Sequence, residues 1–90
     1  DGDLPILSIA AMSSSHITKY LIETGADVNA KSEDGTTALM FAVMRDRVPC
    51  VQLLLEAGAD LSSTNSEGNS VFDIAEIKQN PDIFKLLSAF

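Results

Sequence analysis

Apolar residues recur along this chain at helical spacing, in six short runs separated by polar stretches. The first run is Ile6, Leu7, Ile9, Ala10 and Ala11, and the second is Ile17, Tyr20, Leu21 and Ile22. Leu39, Phe41, Ala42 and Val43 form the third, and Val51, Leu54 and Leu55 the fourth. Val71, Phe72, Ile74 and Ala75 make the fifth, and Ile83, Phe84, Leu86 and Leu87 the sixth. Residues three and four apart share one side of a helix, so each run predicts a short helix with one apolar face.

Signals at the ends of the runs agree. Pro5 and Pro49 suit a first helical turn, where the missing N–H is no loss. A serine among Ser13–Ser15 is expected to cap the second helix. Thr37 should cap the third, Ser70 the fifth, and Asn80, ahead of Pro81, the sixth. Gly25 and Gly58 are expected to stop the second and fourth helices in the left-handed conformation that glycine adopts without strain. Asp46 and Arg47 mark the connection inside the middle pair. The stretches 26–34 and 61–69 are polar and read as extended turns, or fingers, between pairs.

The pattern is periodic. Gly2, Gly35 and Gly68 lie 33 apart, as do Gly25 and Gly58. Glu23-Thr24-Gly25-Ala26-Asp27 returns as Glu56-Ala57-Gly58-Ala59-Asp60. A fixed period of this length marks a stacked-repeat protein, in which each unit buries its apolar face against the next. The units span about 1–33, 34–66 and 67–90, within one domain covering 1–90. The first is irregular: its alanine follows Gly2 by eight residues, against seven after Gly35 and Gly68. We place a one-residue deletion later in that unit, between Ala11 and Ile17. The register also calls for a glycine at position 91, one beyond Phe90.

These residues resemble the ankyrin repeat. Its pattern is a glycine, then threonine-proline-leucine-histidine, an alanine pair, a valine with two leucines, and glycine-alanine-aspartate. The middle unit carries Gly35, Thr37, Leu39, Ala42, Val51, Leu54, Leu55, Gly58, Ala59 and Asp60. The last carries Gly68, Ser70, Phe72 and Ala75, and the first Leu7, Ala10, Ala11, Leu21, Gly25, Ala26, Asp27 and Asn29. The resemblance implies an all-α solenoid of stacked helix-turn-helix units with finger-like β-turns. Ala38 and Val71 replace the family's proline, and Met40 and Asp73 its histidine. Without that histidine, which usually ties the helix start to a neighbouring turn, the packing between units is expected to loosen.

In such a protein, partners meet the finger tips and the outward side of the first helices. The resemblance assigns that role to Glu33, Asp34, Thr36, Met44 and Arg45 in the middle unit. In the last unit it assigns Ser66, Glu67, Asn69, Ile77 and Lys78, and in the first, Met12. Met12, Met44 and Ile77 then form an apolar row rimmed by the acids of the fingers. Two readings stand: the row is a binding surface, or it shields the ends of short helices and binds nothing. The expected function is non-catalytic recognition of another protein carrying a basic and apolar segment. The alternative is a structural spacer within a longer ankyrin-containing protein.

Composition narrows this further. The net charge of −7 disfavours nucleic acid and anionic membranes, which call for a basic surface. The sequence holds no apolar run of membrane-spanning length and no signal peptide, and Asp1 suggests a start within a longer chain. Cys50 is the only cysteine and His16 the only histidine, so no structural zinc site, and no other cofactor or metal, is expected. One unpaired thiol fits a reducing, cytoplasmic or nuclear, setting. Cys50 reads as a small buried residue and His16 as a solvated one. No Gly-x-Ser-x-Gly elbow, phosphate loop or EF-hand spacing is present, and Glu33, Asp34, Glu67 and Asp73 read as solvated acids. The chain is expected to be a monomer without catalytic residues.

Overall fold

The computed structural model describes residues 5–90. The reading of Asp1–Leu4 as the tail of a turn, and with it Gly2, lies outside them. The six runs become six helices: α1 (Ile6–Ala11), α2 (Ser15–Glu23), α3 (Ala38–Met44), α4 (Val48–Glu56), α5 (Val71–Lys78) and α6 (Pro81–Ser88). The fold is all-α; among the described residues the only β element is an isolated antiparallel bridge between Lys31 and Thr37.

Their starts follow from side chains that satisfy the free N–H groups of a first turn. Ser14 accepts from the Ile17 N–H, Thr37 from that of Met40, and Asn80 from those of Asp82 and Ile83. Ser70 and Asp73 form a reciprocal capping box. Thus Asp73, at the family's histidine position, works on its own helix start. Met40, at the same position in α3, is fully buried in the core instead. Pro49 and Pro81 sit in first turns as expected, whereas Pro5 stands one place earlier, as the cap residue of α1. The stops at Gly25 and Gly58 share one geometry, with φ of +97° and +86°. The Gly25 and Ala26 N–H groups donate to Ile22 and Leu21 carbonyls, and those of Gly58 and Ala59 to Leu55 and Leu54.

The helices pack in two layers, α1, α3 and α5 in one and α2, α4 and α6 in the other. Between them lies the core, with Leu39, Met40, Val43, Val51, Leu54, Ile83 and Leu87 fully buried. Alanines at positions 10, 11, 38, 42 and 75 let neighbouring first helices approach. Cys50 is buried as expected, with its Sγ 3.7 Å from Thr18 Oγ1. Helix α2 differs from its reading: Ile17 and Tyr20 are exposed, and Thr18 is the fully buried residue. Thr18 can be buried because its hydroxyl donates to the Ser14 carbonyl at 2.7 Å.

The irregularity of the first pair has a local cause. Ser14 follows the cap Pro5 by nine positions, but Arg47 follows Thr37, and Asn80 follows Ser70, by ten. In the longer turns the extra residue is left-handed, Asp46 at φ +55° and Gln79 at φ +56°. The first turn closes without one, and Ser13 Oγ donates to the Ile9 carbonyl instead. The deleted position is therefore the left-handed one.

Candidate functional site

Each finger is organised by one side chain near its tip. In the first, Asp34 Oδ1 accepts from Ser32 Oγ at 2.5 Å, from Thr36 Oγ1 at 2.8 Å and from the Thr36 N–H at 3.2 Å. These bonds hold the Asp34 carboxyl below the usual carboxylate range, Ser32 contributing most. In the second finger Asn65 does this work, its Oδ1 accepting from the N–H groups of Glu67 and Asn69. The consequence is that the Glu67 side chain is left exposed, whereas the Asp34 carboxylate is engaged within its own turn. The fingers meet through backbone: the Ser66 N–H donates to the Asp34 carbonyl at 2.8 Å. Gly35, at φ +82°, lies so close that a Cβ there would be 3.4 Å from Asn65 Cα.

A second link joins the bases of the fingers. The Asp60 N–H donates to Asn29 Oδ1 at 2.8 Å. The Asp60 carboxylate then turns the chain by accepting from the N–H and hydroxyl of Ser62 and the hydroxyl of Ser63. It too is held below the usual range, chiefly by the Ser62 N–H. On the turns inside the pairs, Arg47 Nε donates to the Met12 carbonyl at 3.0 Å. Asn80, in the matching position, donates to Asp46 Oδ1 at 3.2 Å. The middle and last pairs thus each tie their turn to the one before it.

Several expected contact residues come together. Met44, Glu67, Asn69, Ile77 and Lys78 line an open groove of about 310 Å³, with Asn65 and Ile74 completing it. Lys78 also approaches Asp46 at 3.9 Å, an exposed pair of small energetic weight. The apolar row is graded: Met12 and Met44 are half-buried, Met44 packing against the core, while Ile77 is 68% exposed. Glu33, Arg45 and Ser66 are exposed outside the groove lining. Thr36 corrects its assignment: it is 2% exposed, and its N–H and hydroxyl serve Asp34, so it shapes the finger and offers no side chain to a partner. Asn65 and Ile74 escaped the sequence reading. Asn65 lies 33 after Ser32 but does the opposite work, since Ser32 donates its hydroxyl to Asp34 whereas Asn65 accepts, so the repeat register did not signal its role.

Elsewhere, His16 is exposed and lines a shallow groove between α2 and α4 with Lys19, Gln52 and Glu56. Among the described residues no group of three or more His, Cys, Asp and Glu is placed to hold a metal. No described helix is long and apolar enough to cross a membrane.

Helix-turn-helix units stacked through a shared core, with polar turns linked along one edge, define the class of helical repeat scaffolds. The chain belongs to the ankyrin repeat family: a family model described as "Ankyrin repeats (3 copies)" matches residues 4–89. Proteins of this family are generally non-enzymatic and act as protein–protein interaction modules. The chain is also similar to "Fibronectin type 3 and ankyrin repeat domains 1 protein" of Mus musculus, with 44% identity over 46 residues. That alignment covers 50% of this chain and 13% of the mouse protein.

Proposed function

We propose that this chain binds another protein through its second finger and the exposed ends of α3 and α5, without catalysis of its own. The observation that carries the reading is the groove between Met44 and Ile77. Ile77 is 68% exposed and does not stand alone: it borders a depression shared by two units, beside Met44. Glu67 lines the groove together with Lys78, and the exposed Glu33 lies outside it, so the acids of the fingers favour a partner segment with lysine or arginine beside an apolar anchor. Its anchor enters between the thioether of Met44, a flexible and polarizable contact, and the Ile77 side chain. The net charge of −7 argues against nucleic acid or an anionic membrane in that place. A monomer in a reducing compartment agrees with the free, buried Cys50.

The test is capture of binding proteins by the chain and by variants. Ile77→Asp should abolish capture while leaving the helical signal and Tm unchanged, because the side chain is mostly solvated. Met44→Asp is a poorer probe, since Met44 packs against the core and its loss would also destabilise. Gln52→Glu, on the opposite layer, serves as the control that keeps capture. If Ile77→Asp captures the same proteins as the unaltered chain, the groove is not the binding surface and the spacer reading gains.

A further inference from the structure

Superimposing the three pairs on their caps sorts the buried positions into two sets. One set is buried in the middle and last pairs and exposed in the first. Ile6 is 65% exposed, whereas its equivalents Ala38 and Val71 are each 1% exposed. Ile17 is 53% exposed, against 2% for Cys50 and 0% for Ile83. Ile9 and Tyr20 behave alike: both are exposed, while Phe41, Leu53 and Leu86 are half-buried and Ile74 is buried. The second set is the reverse. Ser8 and Met40 are buried but Asp73 is exposed, and Ala11 and Val43 are buried but Glu76 is exposed.

The sets therefore mark the two sides of each pair along the stack. The middle and last pairs have another pair packed ahead of them, and the first pair has none among the described residues. The two ends of the stack differ in how many large apolar side chains they expose. At the far end the positions held by Met40, Val43 and Leu55 in the middle pair become Asp73, Glu76 and Ser88, all exposed, while that of the buried Val51 becomes Phe84, 41% exposed. At the near end the corresponding surface carries Ile6, Ile9, Ile17 and Tyr20, four large apolar side chains on neighbouring helices, each at least half exposed.

We propose that this near face is a seat for a further helix pair of the same kind, preceding α1 in the array. The occupant follows from continuity with the interfaces inside the stack. The same positions on α5 and α6, Val71, Ile74, Ile83 and Leu86, are covered by α3 and α4 of the middle pair. Three of the four exposed residues are β-branched, as are three of those four, so the near face resembles the surface that the middle pair already covers. It is unlike the Ala38, Phe41, Cys50 and Leu53 set that the first pair covers.

The probe is consequently a copy of residues 34–66 joined ahead of Asp1, which keeps the 33-residue spacing of the turn glycines because Ser66-Asp1-Gly2 replaces Ser66-Glu67-Gly68. The extended chain should unfold in one transition, at a higher urea midpoint than the 90-residue chain. Ile17→Lys with Tyr20→Lys should remove that gain in the extended chain and leave the midpoint of the shorter chain unchanged. An extension that melts separately, with no rise in midpoint, overturns the proposal. So does an equal loss from the lysine pair in both chains, which would make Ile17 and Tyr20 core residues. Sedimentation supplies the remaining arm. A 90-residue chain that is dimeric, and monomeric once the lysines are present, assigns the face to a second copy and also refutes the seat.

Discussion

Leu54 and Leu87 occupy equivalent places in α4 and α6, and both are 0% exposed. By burial alone, truncating either to alanine should cost the same. The stack predicts otherwise. Removing about three methyl or methylene groups forfeits roughly 2.4 kcal/mol of transfer free energy at about 0.8 kcal/mol per group. The cavity left behind adds to this, for a total of about 2–5 kcal/mol. Leu54→Ala should show this whole loss, because α4 is braced by α2 on one side and α6 on the other and cannot collapse inward. A chain of this size has only about 5–14 kcal/mol of stability at ~0.05–0.15 kcal/mol per residue, so the shift will be large. Leu87 lies in the last pair, which has a neighbour on one side only. That pair can open before the others, so the loss from Leu87→Ala saturates at the free energy holding it to the stack. Urea melts followed by far-ultraviolet dichroism measure both losses, and amide exchange locates them. Leu54→Ala should lower protection throughout, and Leu87→Ala only in α5 and α6. Equal losses in the melts, with equal loss of protection in α2, would show that the three pairs unfold as one block and refute the argument.

Two further outcomes follow from the fingers and turns. Asp34 and Asp60 titrate below their ordinary range when folded, so their contribution to stability is fully present above about pH 4 and is lost as pH falls through the lowered values. Asp34→Asn with Asp60→Asn should flatten the fall of the urea midpoint with acid, and an unchanged slope would contradict this. Gln79 holds a left-handed backbone at φ +56°, a conformation costing roughly 1–2 kcal/mol for a residue with a Cβ. Gln79→Gly should therefore raise Tm by a few degrees, about 4–8 °C per kcal/mol gained in a domain of this size, and a fall in Tm would mean that side-chain contacts outweigh the strain.

Most of the fold was legible because helix starts and stops here are local events. Ser14, Thr37, Ser70 and Asn80 cap with their own side chains, and Gly25 and Gly58 turn the chain with their own backbone. The one-residue deletion was legible as a break in spacing, though its meaning was not. Only the dihedral angles of Asp46 and Gln79 reveal which residue the first turn lacks. Helix α2 misled for a different reason. Ile17 and Tyr20 look like core by composition, and their exposure depends on what packs ahead of the first pair, a matter no periodicity within α2 encodes. Thr36 misled because an exposed position in the family pattern says nothing about a neighbour's carboxylate. Asp34 two residues earlier captures its hydroxyl and folds it inward. The groove itself could be anticipated only as a row of period 33, since Ile74 and Asn65 join it through tertiary packing.

The backbone bond from Ser66 to the Asp34 carbonyl has a consequence for how such a surface can be rewritten. It joins successive fingers without using a side chain from either tip. Glu33 and Glu67 can then be exchanged for other residues while the pitch of the tips along the stack stays the same. The fingers behave as teeth on a comb whose spine is polypeptide amide. If the proposed surface is the binding one, selectivity is carried in replaceable teeth, and the interval between them in the spine. A partner at that edge would then meet a fixed interval first and chemistry second. Variants that change the chemistry should inherit the interval intact.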